Sequence, residues 1–475
     1  MNKRKTKIVA TIGPVTSSKE NLIKLIKSGV NVCRLNFSHS THEEHIEVIK
    51  NIREADEELG THTAILGDLQ GPKIRIGEVK DNNIELVPGA EIIITTKPVM
   101  GTAEKVSITY KGLPKDVKKG ERILLDDGKL MFEVISTNLK DEVKLKVIHG
   151  GYLSSKKGVN LPNTKISQPS LTEKDKEDLQ VILEHNLDWI GLSFVRSARD
   201  IIELKHVISQ NNKQTKVVAK IEKPEAVDEL EDIVRESDAV MVARGDLGVE
   251  IPMQDVPLIQ KKIITTCLNY AKPVIVATQM MESMTENAAP TRAEVNDVAN
   301  AVMDGADAVM LSGETSVGKY PFITVQAMCK IINKIESDYE EMYSKEREPE
   351  KDRERFITDS ICFTSCRLAS RVEATGIITM THSGYTAYKI SSQRPKAAVF
   401  VFSGNKKLLT QLSLVWGVKT FFYNKTVSTD HTIADIKYLL KKQGYVAKGD
   451  MIINTASIPI EESGKTNMMK MSVVE

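Results

Sequence analysis

Aromatic residues are scarce in this chain, at 5% of 475 positions with two tryptophans, and net charge is scarcer still. The 65 basic and 64 acidic side chains leave a formal charge of +1. That balance gives no electrostatic footprint for non-specific nucleic-acid binding. No apolar run approaches the roughly 20 residues that a membrane-spanning helix needs. The basic start, Met1 to Lys7, lacks the apolar stretch of about 7–15 residues that follows the charges of a secretory signal. A strand pattern, Lys7-Ile8-Val9-Ala10-Thr11, begins at once and stops at Gly13-Pro14. The five cysteines, Cys33, Cys267, Cys329, Cys362 and Cys366, form no CxxC pair. Cys362 and Cys366 stand four apart in a helical pattern, which predicts core thiols rather than a metal or disulfide role, in a reducing cytoplasm. No GxGxxG follows the first strand, which argues against a dinucleotide-dependent dehydrogenase.

What the chain does have is repetition of form. Short β-branched runs, each followed by a polar turn and an amphipathic helical pattern, occur at Lys7–Ile12, Val32–Phe37, Ala64–Leu69, Trp189–Phe194, Lys216–Ile221, Ala239–Ala243, Pro273–Thr278 and Ala308–Leu311. Eight such units in series predict an α/β chain built on a closed (β/α)₈ TIM barrel, spanning 1–70 and 170–345. The third unit is interrupted after Gly71-Pro72 by about a hundred residues of short alternating runs and Gly- or Asp-rich turns. This stretch, 71–169, predicts a small β-barrel lid domain inserted in the larger barrel. A charged linker over Lys345–Arg355 leads to strands alternating with helices, predicting a C-terminal open α/β regulatory domain over 346–475.

In such barrels the chemistry sits where the strands end. Those ends carry Arg34, Asn36, Ser38 and His39; Asp68; Lys220 and Glu222; Arg244, Gly245 and Asp246; Thr278 and Gln279; and Ser312 and Glu314. Cations, carboxylates and hydroxyls therefore converge on one rim, with no cysteine or Ser-His pair for covalent catalysis. The set suits an anionic substrate held by a hard divalent metal. Arg34 offers a planar, permanently charged fork for a phosphate. Lys220 and Glu222 point the same way because strand side chains alternate with period two. Asp246, from the next strand, can share the metal with Glu222. Gly245 lets the backbone approach a ligand closely and offers it an N–H.

At these residues the chain resembles the pyruvate kinases. The matching runs are Thr6 to Pro14, Arg34-Leu35-Asn36-Phe37-Ser38-His39, Ala219-Lys220-Ile221-Glu222-Lys223, Ala243 to Gly248, Ala277 to Met284 and Leu311 to Thr315. The resemblance implies Mg²⁺-dependent phosphoryl transfer from phosphoenolpyruvate to ADP, giving pyruvate and ATP. It implies that Arg34 contacts the transferring phosphate and that Lys220 stabilises charge in transfer and on the enolate. Glu222 and Asp246 bind Mg²⁺ or Mn²⁺, and Gly245 and Thr278 receive the substrate carboxylate. Thr278, Ser312 and Glu314 lie on the side from which enolpyruvate is protonated. Asn36, His39, Arg75 and Lys157 match nucleotide-side positions, and the Asp126-Asp127-Gly128 turn is either a carboxylate source for the nucleotide metal or a plain hairpin. The inserted domain then reads as a lid closing over ADP.

The resemblance also implies a homotetramer and a phosphate-holding effector loop at Thr381-His382-Ser383-Gly384-Tyr385-Thr386. Members activated by fructose 1,6-bisphosphate often place Trp and Arg near the segment that here reads Ser457 to Gly464. Glu461 and Glu462 would repel a second phosphate, so the expected effector is mono-phosphorylated or absent. A monovalent-cation site matches Asn36, Ser38, Asp68 and Leu69. K⁺-dependent members carry a glutamate where this chain has Lys73, whose tethered ammonium can replace K⁺, so K⁺ is expected to be unnecessary. Two rivals remain: another phosphoenolpyruvate or oxaloacetate enzyme, disfavoured by the lid with Arg75 and Lys157, and an inert binding protein, disfavoured by Lys220, Glu222 and Asp246 together.

Overall fold

A computed structural model describes residues 4–343, 346–351, 354–425, 429–458 and 466–475. Eight parallel strands close into a barrel: β1 (Lys7–Thr11), β2 (Val32–Asn36), β3 (Ala64–Asp68), β4 (Trp189–Leu192), β5 (Lys216–Ile221), β6 (Ala239–Ala243), β7 (Val274–Ala277) and β8 (Ala308–Leu311). β1 pairs with both β8 and β2, which closes the ring. The continuous burial of β1, β3, β4, β6, β7 and β8 explains why they read as uninterrupted apolar runs. Strands end one or two residues earlier than the apolar runs at Ile12, Phe37, Leu69 and Phe194, because those residues already turn toward the rim.

Capping fixes where the surrounding helices start. Thr41, Thr172 and Thr291 each form a capping box with an acidic residue three positions on, Glu44, Asp175 and Glu294. Asp175 has a second task, since its Oδ1 also accepts the backbone N–H of Gly71 at 3.0 Å. Gly71 has φ 70°, a left-handed turn that favours glycine. The chain thus leaves β3 for the inserted segment and returns from it at one point.

The inserted segment forms a six-stranded sheet in the order Val159–Asn160, Arg122–Leu125, Leu130–Thr137, Glu142–His149, Glu91–Thr95, Lys105–Ser107. Single bridges from Arg75 to Gly158 and from Ile76 to Ile108 lay one stretch of chain between the two edges. They close a small barrel around a core that includes Phe132, Ile123 and Leu145. A two-stranded sheet of Ile84–Leu86 and Gly151–Leu153 lies alongside. Three short strands, Lys105–Ser107, Gly151–Leu153 and Val159–Asn160, go beyond the sequence expectation, being too brief to show alternation.

The C-terminal region is a five-stranded sheet in the order Val418–Phe422, Ala398–Ser403, Gly376–Met380, Met451–Ala456, Met468–Val473, parallel except for the last strand. It meets the barrel at the ends where strands begin. Asp188, just before β4, binds Arg53 at 2.8 Å, Lys407 at 3.0 Å, Thr410 Oγ1 at 2.7 Å and the Ile65 N–H at 2.8 Å. Asp307, just before β8, binds Arg394 at 2.8 Å and the backbone N–H groups of Trp416 and Val274 at 3.1 Å. The rim where strands end is left clear. All five cysteines are free, and Cys329, half-buried, accepts from Arg4 rather than packing only against carbon.

Candidate active site

At the end of β3 the buried Asp68 carboxylate collects two cations from neighbouring strands. Arg34, on β2, donates from Nε at 2.7 Å and from Nη2 at 2.6 Å to Asp68 Oδ2, and from Nη1 to Thr11 Oγ1 at 3.0 Å. Lys220 Nζ, on β5, stands 3.3 Å from Asp68 Oδ1 and 2.9 Å from Glu222 Oε1. Lys220 also donates to Ser193 Oγ at 2.7 Å, and Ser193 passes a hydrogen bond to the Leu69 carbonyl at 2.7 Å. Ser193 was absent from the expected set, because the apolar run read as a strand, Trp189–Phe194, placed it inside the strand and not at its end.

The electrostatics follow from burial and partners. Burial would lift the Asp68 pKa, but Lys220 and Arg34 outweigh it and hold the carboxyl below its usual range. Burial likewise opposes charge on Lys220, and the Asp68 and Glu222 carboxylates overcome it, raising the ammonium above its ordinary value. Glu222 lies in the opposite regime. Burial pushes it up to about 7, against the pull of Lys220 and with the push of Asp246. Its Oε2 accepts the Phe194 N–H at 2.7 Å, whereas its Oε1 faces the Lys220 ammonium at 2.9 Å. A buried carboxylate with a second carboxylate, Asp246, close enough to raise its pKa fits a divalent cation. Among the described residues no cluster of three or more His, Cys, Asp or Glu side chains is set to hold a metal. Two carboxylates suffice for Mg²⁺, which keeps waters and substrate oxygens in its shell.

The neighbouring strand ends form a second group. Gly245 N–H donates to Thr278 Oγ1 at 2.8 Å, and Thr278 Oγ1 donates to the Ala277 carbonyl at 2.6 Å. Thr278 and Gln279 have φ of 68° and 55°, costly for a β-branched residue and typical of functional sites. The strain is held by Arg244, which binds Asp297 through both oxygens at 2.6 and 2.7 Å and the Thr278 carbonyl at 2.6 Å. Arg244 thus clamps the β7 turn. Glu314 is buried, its Oε2 accepting the Ser312 N–H at 2.6 Å and its Oε1 the Met281 N–H at 3.2 Å; burial raises its pKa against those donors.

On the β2 side, Asn36 Oδ1 accepts the Ser38 N–H at 3.2 Å and the Asn36 carbonyl accepts the His39 N–H at 3.1 Å. Within the inserted segment, Arg75 donates to the Lys156 carbonyl at 2.9 Å and Lys157 pairs with Asp126 at 2.8 Å. Asp126-Asp127-Gly128 is a tight turn between two lid strands, with Asp126 committed to Lys157 and Lys129. Between lid and barrel lies a cleft of about 580 Å³ whose walls include Lys73, Asp127, Asn160, Arg196, Asp246 and Glu250. Lys73 is exposed there.

The effector-loop residues lie apart, at the start of the helix Tyr385–Ser392. Thr381 Oγ1 accepts the Gly384 N–H at 2.9 Å, Tyr385 donates to Asp359 at 2.8 Å, and Thr386 shares a hydrogen bond with Thr466 at 2.8 Å. His382 and Ser383 are exposed. Glu461 and Glu462 lie outside the described residues, as does part of the charged linker.

Comparison with known proteins gives this geometry a family. Residues 3–325 match the family model "Pyruvate kinase, barrel domain", and residues 359–472 match "Pyruvate kinase, alpha/beta domain". A pyruvate kinase of Geobacillus stearothermophilus is 42% identical over 99% of this chain and 81% of its own length. That of Corynebacterium glutamicum is 44% identical over 98% of this chain and 97% of its own. The crystal structure of a pyruvate kinase from Cryptosporidium parvum superimposes with a TM-score of 0.93 at 36% identity, covering 100% of this chain and 97% of that one. With both domain models matched and relatives above 40% identical over nearly the whole chain, the chain belongs to the pyruvate kinase family and has that family's activity.

Proposed function

We propose that phosphoryl transfer between phosphoenolpyruvate and ADP takes place at the Arg34–Asp68–Lys220–Glu222 cluster. The observation that carries this is the buried Lys220 ammonium held between the Asp68 and Glu222 carboxylates at 3.3 and 2.9 Å. A phosphoryl group in flight spreads negative charge over its equatorial oxygens, so catalysis is mainly positioning and neutralisation. Asp68 holds Arg34 and Lys220 in place before substrate arrives, so no rearrangement is needed when charge develops. Arg34 grips the phosphate, and Lys220 stabilises the transferring group and the enolate. The Gly245 N–H and Thr278 hydroxyl receive the carboxylate, on a turn that Arg244 keeps strained. Glu222 and Asp246 would hold Mg²⁺ or Mn²⁺, which supplies charge neutralisation for phosphate oxygens. Thr278, Ser312 and Glu314 form the side from which enolpyruvate takes its proton, with Glu314 fixing the backbone there.

The lid, 71–169, closes over ADP and excludes water, with Asn36, His39, Arg75 and Lys157 on the nucleotide side. The remaining body divides into a barrel, 1–70 with 170–345, and a regulatory domain, 346–475. K⁺ is not required: Asp68 is already filled by Arg34 and Lys220, the Leu69 carbonyl by Ser193, and Lys73 lines the cleft as a tethered cation. The loop Thr381–Thr386 takes a mono-phosphorylated effector or none. The enzyme works as a cytoplasmic homotetramer. The test is Lys220→Met in a coupled assay for pyruvate formed from phosphoenolpyruvate and ADP. Turnover should be lost with the fold intact, and retention of more than about a tenth of it would remove Lys220 from the charge-stabilising role.

A further inference from the structure

Directly beside the metal carboxylates lies a buried ion pair that the reaction does not use. Lys223 follows Glu222, and Glu250 ends the helix Arg244–Glu250 that carries Gly245 and Asp246. Their side chains are 6% and 1% exposed, and Lys223 Nζ meets Glu250 Oε1 at 2.7 Å. The same oxygen accepts the Asn160 side-chain amide of the lid at 2.8 Å. Glu250 Oε2 is buried with no hydrogen bond. A second lid segment reaches the same helix, since a Cβ built on Gly128 would stand 3.6 Å from Val249.

A buried ion pair is weak evidence for stability, and its best-attested use is to fix register between parts that must meet one way. This pair touches three parts at once: the end of β5 through Lys223, the metal-bearing helix through Glu250, and the lid through Asn160. The helix is only seven residues, about 10 Å long, so a displacement at Glu250 is felt at Asp246. We propose that Glu250, oriented by Lys223, is the positioning residue on which the lid seats through Asn160. Seating of the lid over ADP and alignment of Glu222 and Asp246 are then one coupled event. This rests on the lid and metal assignments above and adds the contact that joins them.

The test is Asn160→Asp, which keeps the shape of the side chain and sets a carboxylate against Glu250. The KM for ADP should rise about tenfold or more, because like charges meeting at a desolvated contact oppose closure. The Mg²⁺ concentration for half-activation should rise with it, while calorimetric binding of phosphoenolpyruvate at saturating Mg²⁺ should change less than about twofold, since that ligand's own contacts do not need the lid. In a Glu250→Gln background the new carboxylate meets an amide donor, and the penalty of Asn160→Asp should shrink to about threefold or less. Should Glu250→Gln alone fail to fold, Lys223→Met with Glu250→Gln removes the stranded ammonium and gives the same background. An unchanged KM for ADP, an equal penalty in both backgrounds, or equal loss of both substrates would each overturn the proposal. A Lys220→Met enzyme that kept its turnover would instead strike the active-site assignment beneath it.

Discussion

At the lower end of the barrel Asp188 and Asp307 are as deeply buried as Asp68 and Glu222 at the upper end, yet the two ends treat their carboxylates differently. Below, both oxygens of each aspartate carry hydrogen bonds to cations, hydroxyls or backbone N–H groups. Above, Asp68 Oδ1 and Glu222 Oε1 share a single ammonium, Lys220, at 3.3 and 2.9 Å. An oxygen met by one shared cation, with no backbone or hydroxyl donor, keeps lone pairs with which to meet a further cation or donor. The lower end joins the barrel to the C-terminal sheet, and the upper end is where substrate and metal are proposed to bind.

The contrast can be broken most severely at the top by Lys220→Met. The loss of a charge aimed at the transition state should cost on the order of 10²–10³ or more in kcat. Thermal unfolding should change little beside that loss. Asp188→Ala should do the reverse, costing about 3–5 kcal/mol because it strands Arg53 and Lys407. Urea unfolding followed by tryptophan fluorescence reads this directly, since Trp189 bonds to Gln411 across the junction and Trp416 lies beside Arg394. Turnover at low temperature should survive.

Acid sharpens the same contrast. Burial would raise the Asp188 pKa, but Arg53 and Lys407 hold it below the ordinary value. A carboxyl depressed in the folded state contributes stability above its unfolded pKa, about 3.9, and loses it as pH falls through the folded one. Melting temperature of the wild type should therefore fall below about pH 4, and Asp188→Asn should flatten that fall. Smaller effects are expected from Glu222→Gln and Asp246→Asn, each of which should raise the Mg²⁺ needed for half-activation; identical activation curves in both would place the metal elsewhere. The smallest concerns K⁺. Adding it to K⁺-free enzyme in an organic-cation buffer at matched ionic strength should stimulate less than about tenfold, because a tethered ammonium already supplies the charge. Lys73→Glu should increase the stimulation.

The upper end was legible in sequence and the lower end was not, for a physical reason. Residues of the rim lie in the last three positions of their strands or just beyond, so a β-branched run that carries Arg34, Asp68 or Lys220 near its end announces itself. Asp188 meets Lys407 and Asp307 meets Arg394 across some 219 and 87 residues, and no local pattern marks either pairing. Arg244 reads as a rim cation and turns out to be spent on Asp297 and the Thr278 carbonyl. Asn160, Lys223 and Glu250 each look ordinary alone, because only the folded lid brings them together. The helix Lys406–Gln411 and the strand Lys105–Ser107 were too short to announce a period.

The hydrogen bond from Gly71 to Asp175 has a consequence for how such a chain tolerates change. The inserted body leaves and re-enters the barrel through a single gate, so the barrel's topology is blind to what hangs there. Loop-closure entropy grows only slowly with length, and here the ends are pinned by a residue that also caps the returning helix. A shorter or wholly foreign module could be spliced between Gly71 and Thr172 without rewiring the eight strands. The contact from Asn160 to Glu250 would have to be rebuilt for the new module to seat.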